Sequence, residues 1–261
     1  MTSTASPSSS PERVFGWREH TALWFSLGVG LLVMQVGAYL VPAMGTRDAA
    51  LAVVGGSILG AGLLAWVAWL GCTSGQTSAG LIRTAYGQGF ARLPILLNVV
   101  QLLGWATFEL VVMRDGTRAI ARQALGIDPG LVAPTLLWGV MVLLLLRGSM
   151  LTLVRRIIAR VALPLVVLSL LWLSWQFLGL AQAQGLAALW QRQGEGGMGV
   201  MPALDLVIAM PISWLPLVAD YARHGRSGVG ALRGAWAGYA VANIWCYTLG
   251  VLVALTLPSQ D

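Results

Sequence analysis

The sequence predicts an all-α membrane protein of about seven transmembrane helices, and three observations carry that expectation. First, 57% of the residues are hydrophobic and only 10% are charged, where a soluble domain carries about 25% charged residues. Second, the polar positions collect in short stretches between apolar runs, and a helix crossing the hydrocarbon core needs about 20 apolar residues. Third, all sixteen cationic side chains are arginine, with no lysine, and they sit in short loops beside the apolar runs. Membrane topology accounts for that placement better than a nucleic-acid-binding face does. Nucleic acid is therefore not an expected partner, and membrane lipid is.

The first nineteen residues open with a Ser/Thr/Pro-rich tract that lacks apolar periodicity. It predicts a disordered tail over 1–19 ahead of a transmembrane domain over 20–261. The apolar run that follows is too long for the h-region of a signal peptide. Span one is expected over about Thr21 to Met44, and span two over about Ala49 to Gly71 after a loop holding Arg47 and Asp48. The stretch Thr73 to Arg92 is too polar to cross, and Leu81 to Gly87 within it predicts a short interfacial helix. Span three follows over about Leu93 to Met113, and span four over about Pro129 to Leu146. Span five runs over about Ile157 to Leu178, with Arg155, Arg156 and Arg160 at its start and Pro164 inside. Span six is expected over about Leu206 to Val218, and span seven over about Trp236 to Leu257.

Three regions depart from plain lipid-facing helix. In span three, Trp105 and Glu109 are four residues apart and share a helix face. A carboxylate at membrane depth is costly unless it faces a polar cavity or a partner, which makes Glu109 a candidate functional group or one half of a structural ion pair. In span six, Pro211 and Pro216 flank Ser213 and Trp214. Each proline removes a backbone donor and crowds the preceding turn. Such a break is tolerated where it lines a cavity, although a plain proline kink has the same signature. In span one, Gly28 and Gly30, with Gly37 beyond, permit close packing or local unwinding, and packing is the commoner use. Cys72 and Cys246 read as small buried hydrophobes, and His20 and His224 as interfacial side chains. No nucleophile–base pair, phosphate-binding glycine loop or metal-ligand cluster stands out, so the reading is of a non-enzyme without a cofactor.

In their order, these regions resemble the nucleobase:cation symporter-1 family of cytosine, purine, hydantoin and hydroxymethylpyrimidine permeases, over about Trp17 to Pro258. The resemblance rests on Ile82-Arg83-Thr84-Ala85-Tyr86-Gly87, on Leu97-Asn98-Val99-Val100-Gln101-Leu102-Leu103-Gly104-Trp105, and on Ser213-Trp214-Leu215-Pro216-Leu217-Val218-Ala219-Asp220-Tyr221-Ala222-Arg223. It implies an inverted-repeat, LeuT-like transporter fold, with a first repeat of about five helices over about 20–180 and the start of a second over about 200–258. It implies a plasma-membrane permease, bacterial in type, coupled to sodium or protons and carrying a small heterocyclic base. The implied substrate residues are Trp105 and Trp214 as stacking faces, Glu109 as the side chain reading the ring edge, the Ser213 backbone, and Gly30 on helix one. Ser26 and Val29 fall where members with a sodium site offer backbone carbonyls. Members of the family have roughly twelve spans, so the resemblance also implies an incomplete second repeat: a fragment, a truncated product or half of a split system. Self-association or a second chain would then supply the missing helices. A different class of function, a non-transporting receptor or assembly partner that keeps the fold, competes with transport.

Arginine counts orient the chain. With the N-terminus cytoplasmic, eleven arginines fall on inside segments and five, Arg47, Arg114, Arg118, Arg122 and Arg192, on outside loops. A phosphatase reporter fused after Leu125 is therefore expected to be active and one fused after Arg226 inactive. The opposite pattern would reverse the orientation.

Overall fold

A computed structural model describes residues 12–148 and 160–257. Its helices are α1 (Trp17–Gly28), α2 (Leu31–Ala43), α3 (Thr46–Ser74), α4 (Ser78–Phe90), α5 (Arg92–Ile120), α6 (Val132–Leu146), α7 (Leu163–Gln184), α8 (Leu186–Trp190), α9 (Val200–Ile212), α10 (Leu215–Ala222) and α11 (Gly228–Thr256). Among the described residues five helices are long and apolar enough to cross a membrane, and the bent pair α1–α2 makes a sixth. Of the seven expected spans, span four is α6, whose 15 residues rise only about 22 Å against a core of about 30 Å. The protein is thus a multi-pass, all-helical membrane protein, as expected.

Several boundaries differ from those expected. Helix one begins at Trp17 rather than Thr21, and span three continues as α5 to Ile120 with a further wide turn to Leu125. Arg114, Arg118 and Arg122 therefore lie on helix, not in a loop. Arginine is a good helix former, and hydropathy marks where the apolar run ends rather than where the hydrogen-bonded ladder does. Pro164 stands in the first turn of α7 and, with residues 160–162 helical ahead of it, inside the span Arg160–Gln184, as expected. Arg155, Arg156 and the expected start of span five lie outside the described residues.

The described chain divides into two compact units. One takes in the residues up to Leu81 and those from Arg160 on, and the other those from Ile82 to Gly148. In the first unit, α3 and α11 are uninterrupted helices of 29 residues each. Helix one (α1–α2) lies against α11 with glycine at the crossing points. A Cβ on Gly234 or Gly238 would strike the carbonyls of Trp17 or Thr21, and one on Gly250 the carbonyl of Met34. From the other side, Gly37 of α2 lies on the Tyr247 carbonyl. Helix six (α9–α10) lies in the same way against α3: a Cβ on Gly56 would come within 2.7 Å of Val207 Cβ, one on Gly71 within 2.6 Å of Ala219, and one on Gly60 into the Pro211 ring. In lipid no hydrophobic force drives helix onto helix, so backbone approach through small residues supplies the dispersion contact that holds them. Two buried apolar clusters result, one about Leu40, Val53, Val207 and Tyr247, the other about Trp24, Leu64, Val218 and Tyr239. Cys72 and Cys246 are buried and free, as the sequence suggests.

Residues 12–16, read from composition as part of a disordered tail, have a defined place. Val14 and Phe15 N–H both donate to the His224 carbonyl (2.9 and 3.0 Å), Arg226 N–H donates to the Phe15 carbonyl (2.8 Å), and Arg13 Nη1 donates to the Gly225 carbonyl (3.2 Å). This short strap covers His20, which is 1% exposed and edge-on to Phe15, rather than interfacial.

In the second unit α5 packs on α6, and Trp138 Nε1 donates to Thr117 Oγ1 at 2.8 Å. The turn between them is closed by Asp128, which accepts from Arg118 at 3.2 Å, from Arg122 and from Gly130 N–H at 3.0 Å. Those two guanidiniums and the Gly130 N–H hold the Asp128 carboxyl well below the usual carboxylate range.

The glycine crossings make a direct stability prediction. Gly250→Ala should cost about 1–3 kcal/mol by forcing α11 off helix one. Gly62→Ala, where a Cβ would meet nothing within 4 Å, should be neutral or stabilising by up to about 1 kcal/mol. Thermal unfolding of both variants in detergent checks the pair, and equal midpoints would remove the crossing as a stability determinant.

A candidate substrate site at two interrupted helices

Helix one is broken at Val29 and Gly30. Val29 takes φ −86°, ψ 124° and Gly30 φ −162°, ψ 151°, both extended, and α1 and α2 meet at 58°. The glycines of this segment divide the work. Gly28 packs against Ala242 and Tyr239, with a Cβ there 2.9 Å from Ala242 Cβ, and Gly37 packs against Tyr247. Gly30 has open space instead, its nearest neighbour being Val33 Cγ2 at 3.9 Å. Packing is therefore the role of Gly28 and Gly37, and unwinding that of Gly30. Its N–H lies outside both helices, as the extended φ/ψ of Gly30 requires. The last turn of α1, Phe25 to Gly28, retains one backbone closure, Val29 N–H to the Phe25 carbonyl at 3.2 Å. The carbonyls after it have no intrahelical donor, and they stand at the negative end of the α1 dipole. Ser26 spends its hydroxyl locally, donating to the Ala22 carbonyl at 2.9 Å.

Helix six is interrupted at Ser213 and Trp214, but more gently than its two prolines suggest. Both residues keep right-handed helical φ/ψ, and Val200–Ala222 still qualifies as one span. Having no N–H, Pro211 and Pro216 leave the carbonyls of Val207 and Ile212 without their helical donors. At the interruption the ladder tightens: Trp214 N–H donates to the Pro211 carbonyl at 3.2 Å, three residues back. The Met210 carbonyl, deprived of that donor, accepts from Ser213 Oγ at 2.6 Å. A serine hydroxyl thus replaces a backbone donor and lets the helix loosen without leaving a bare carbonyl in an apolar setting.

Trp24 joins the two interruptions. It is fully buried on α1, and its ring lies edge-on to Trp214 (6.1 Å, 83°) and Tyr221 (6.0 Å, 79°) and tilted against Tyr239 (6.4 Å, 52°). Its Nε1 is buried without a hydrogen-bond partner. Edge-to-face contacts of this kind fix ring orientation beyond what area burial does. One ring contact, Trp24 with Trp214, links α1 to the interruption of helix six; Ser26 lies on α1, and Val29 and Gly30 stand between α1 and α2. Trp105 and Glu109 belong to the second unit. There α5 runs through both without a break, and Trp105 stands edge-on to Phe108 (6.0 Å, 90°).

Sequence reading missed three features of this region. Trp24 and Tyr239 look in sequence like any buried aromatic of a membrane helix. A buried polar pair, Asn243 Nδ2 donating to Ser57 Oγ at 3.0 Å, ties α11 to α3. Asp220 of α10 accepts from Ser78 N–H at 3.2 Å, an acidic side chain at the start of α4 where the helix dipole favours one. The asparagine carried a signal, as an amide inside an apolar run.

A helix bundle with two interrupted spans, each held by a continuous glycine-packed helix, has the architecture of a secondary transporter. The chain belongs to the family of permeases for cytosine/purines, uracil, thiamine and allantoin, whose profile matches residues 7–260. Among solved structures it is similar to Mhp1, a nucleobase-cation-symport-1 family transporter in a closed conformation with bromovinylhydantoin bound. The TM-score is 0.73 at 18% identity, covering 96% of this chain and 56% of that one. At that identity the likeness is one of fold, and the chain spans little more than half the length of that transporter. No curated protein sequence matches it significantly. The family is one of permeases rather than of enzymes.

The aromatic junction is testable by itself. Trp24→Ala should lower stability by about 3–5 kcal/mol, as large-to-small core substitutions do. Trp24→Phe, which keeps an aromatic ring among Trp214, Tyr221 and Tyr239, should lose less than half as much. Chemical unfolding of the solubilised protein provides the comparison, and equal losses would show that ring contacts add nothing to volume.

Proposed function

We propose that the chain forms the substrate-holding part of a cation-coupled permease for flat nitrogen heterocycles such as cytosine, purines or hydroxymethylpyrimidine. The observation that carries the reading is the pairing of a broken helix one with an interrupted helix six through Trp24, in a chain of this permease family. Interrupted helices expose backbone polar groups at membrane depth, where a polar solute that has shed its water needs them.

In this reading Trp105 and Trp214 stack on the two faces of the heterocycle. Stacking recognises a flat ring with little regard to its substituents, so the edge must be read by something else. Glu109 reads it. As a carboxylate it accepts only, and so favours bases that present N–H donors, an exocyclic amine among them. Gly30 and the Ser213 backbone complete the pocket, with the missing Cβ of Gly30 leaving room for the ring. Sodium or a proton drives uptake. For sodium, the Ser26 and Val29 carbonyls at the end of α1 supply two of the oxygens, and a hard cation takes about six in all, water included. The cytoplasmic N-terminus follows from the arginine count, and the membrane is the plasma membrane of a bacterium.

Trp105→Ala and Trp214→Ala should each weaken binding of an aromatic base by about 1–3 kcal/mol, the magnitude of base–aromatic stacking. Glu109→Gln should change the order of preference among cytosine, adenine and hydroxymethylpyrimidine more than it changes thermal stability. Calorimetric titration of the gene's full-length product in detergent measures both effects. If all three variants bind the same bases with unchanged affinity, the site lies elsewhere.

A further inference from the structure

We propose that the corner between α4 and α5 is a binding site for one anionic phospholipid, with Arg83 and Arg92 on the phosphate and the first turns of α5 along an acyl chain. The corner is an open recess of about 490 Å³ lined by Arg83, Gln88, Arg92, Ile95, Leu96 and Val99. Its lining divides by chemistry. Two guanidiniums and an amide make one part, and three aliphatic side chains spaced along α5 make the other. A headgroup phosphate joined to a hydrocarbon chain has the same division.

The local sequence builds this shape. Gly87 interrupts α4 with φ +75°, ψ 167°, a conformation that suits glycine alone, and the chain turns there before α5 begins. That turn returns Gln88 and Arg92 to the side of Arg83. Tyr86 and Phe90 flank the turn with their rings 5.8 Å apart, and both are exposed. Aromatic residues of this kind mark the level of the headgroups. Beyond Arg92, α5 opens on the apolar run Leu93-Pro94-Ile95-Leu96-Leu97. The recess therefore sits at the depth where phosphate gives way to acyl chain.

Its charge is uncompensated by protein. Among the described residues neither Arg83 nor Arg92 pairs with a carboxylate. The chain has no acidic residue at all between Asp48 and Glu109. The contrast with the other end of α5 is informative: Arg114, Arg118 and Arg122 all have aspartate partners there. Guanidinium matches phosphate oxygens in bidentate geometry, and each such cation near an anionic surface is worth about tenfold or less in affinity. A zwitterionic lipid carries its own cation on the headgroup, so an anionic lipid is the better fit. The inside-facing arginine count puts this corner on the cytoplasmic leaflet, whose surface is negative.

The test is native mass spectrometry of the delipidated, detergent-solubilised protein titrated with phosphatidylglycerol or with phosphatidylcholine of the same acyl chains. One phosphatidylglycerol should be retained roughly ten- to thirtyfold more tightly than phosphatidylcholine. R83Q/R92Q should abolish that preference, R83K/R92K should keep most of it, and R192Q, remote in sequence from the corner, should leave it unchanged. Equal retention of the two lipids, or an undiminished preference in R83Q/R92Q, overturns the proposal. So does competition by inorganic phosphate at the concentration where the lipid binds, which would identify a free-anion site. R83K/R92K with the thermal midpoint of the wild type guards against misfolding.

Discussion

Backbone-to-backbone packing through glycine is the constraint on which the first unit depends. Helices one and six are interrupted, and an interrupted helix is a poor structural member because carbonyls near the break lose their donors. Each is laid along a 29-residue helix that is whole, helix one on α11 and helix six on α3. The crossings at Gly234, Gly238 and Gly250, and at Gly56, Gly60 and Gly71, bring main chains closer than any side chain would allow. Hydrophobicity cannot drive this association within lipid. Contact area and shape must do so, and glycine maximises both at a crossing.

With the two helices held in this way, the interruptions can be mild and still useful. Helix one is truly broken, with two extended residues and a 58° bend between α1 and α2. Helix six is only loosened, and Ser213 repairs part of the loss by donating to the Met210 carbonyl. The asymmetry follows from composition. Valine and glycine at 29 and 30 are both poor helix formers and leave the ladder for ordinary extended backbone, while proline fixes φ near its helical value and removes donors without redirecting the chain. Trp24 then sets the two segments against one another by filling the space between Trp214, Tyr221 and Tyr239.

Much of this was legible in the sequence, and the parts that were not have identifiable causes. Apolar runs announced the spans, because the bilayer imposes a length on each. Their ends were misjudged at α5, where arginines that end the apolar run go on making helix and find aspartate partners. Pro211 and Pro216 announced an interruption, yet a missing donor does not state how far a helix will bend. The glycines of helix one announced either packing or unwinding, and only their neighbours separate Gly28, which packs on Ala242, from Gly30, which meets open space. The tail was read from composition as disordered throughout, whereas residues 12–16 are ordered by carbonyls and an N–H of the 224–226 segment, some two hundred residues away in the chain.

The sequence by itself determined the class of protein and the apolar runs that its spans follow, since these depend on local hydropathy, and it marked with proline and glycine two regions where a helix could fail. It also placed Trp105 and Glu109 on one face of one helix, a consequence of helical period alone. Tertiary structure alone decided which failure becomes a break and which a repaired loosening, and which of twelve tryptophans joins the two. Those outcomes turn on contacts between residues far apart in the chain, Trp24 with Trp214, Gly250 with Met34, Asn243 with Ser57. A pattern read along the chain carries each residue's own preference, and the preference is settled only by the partner that packing brings to it.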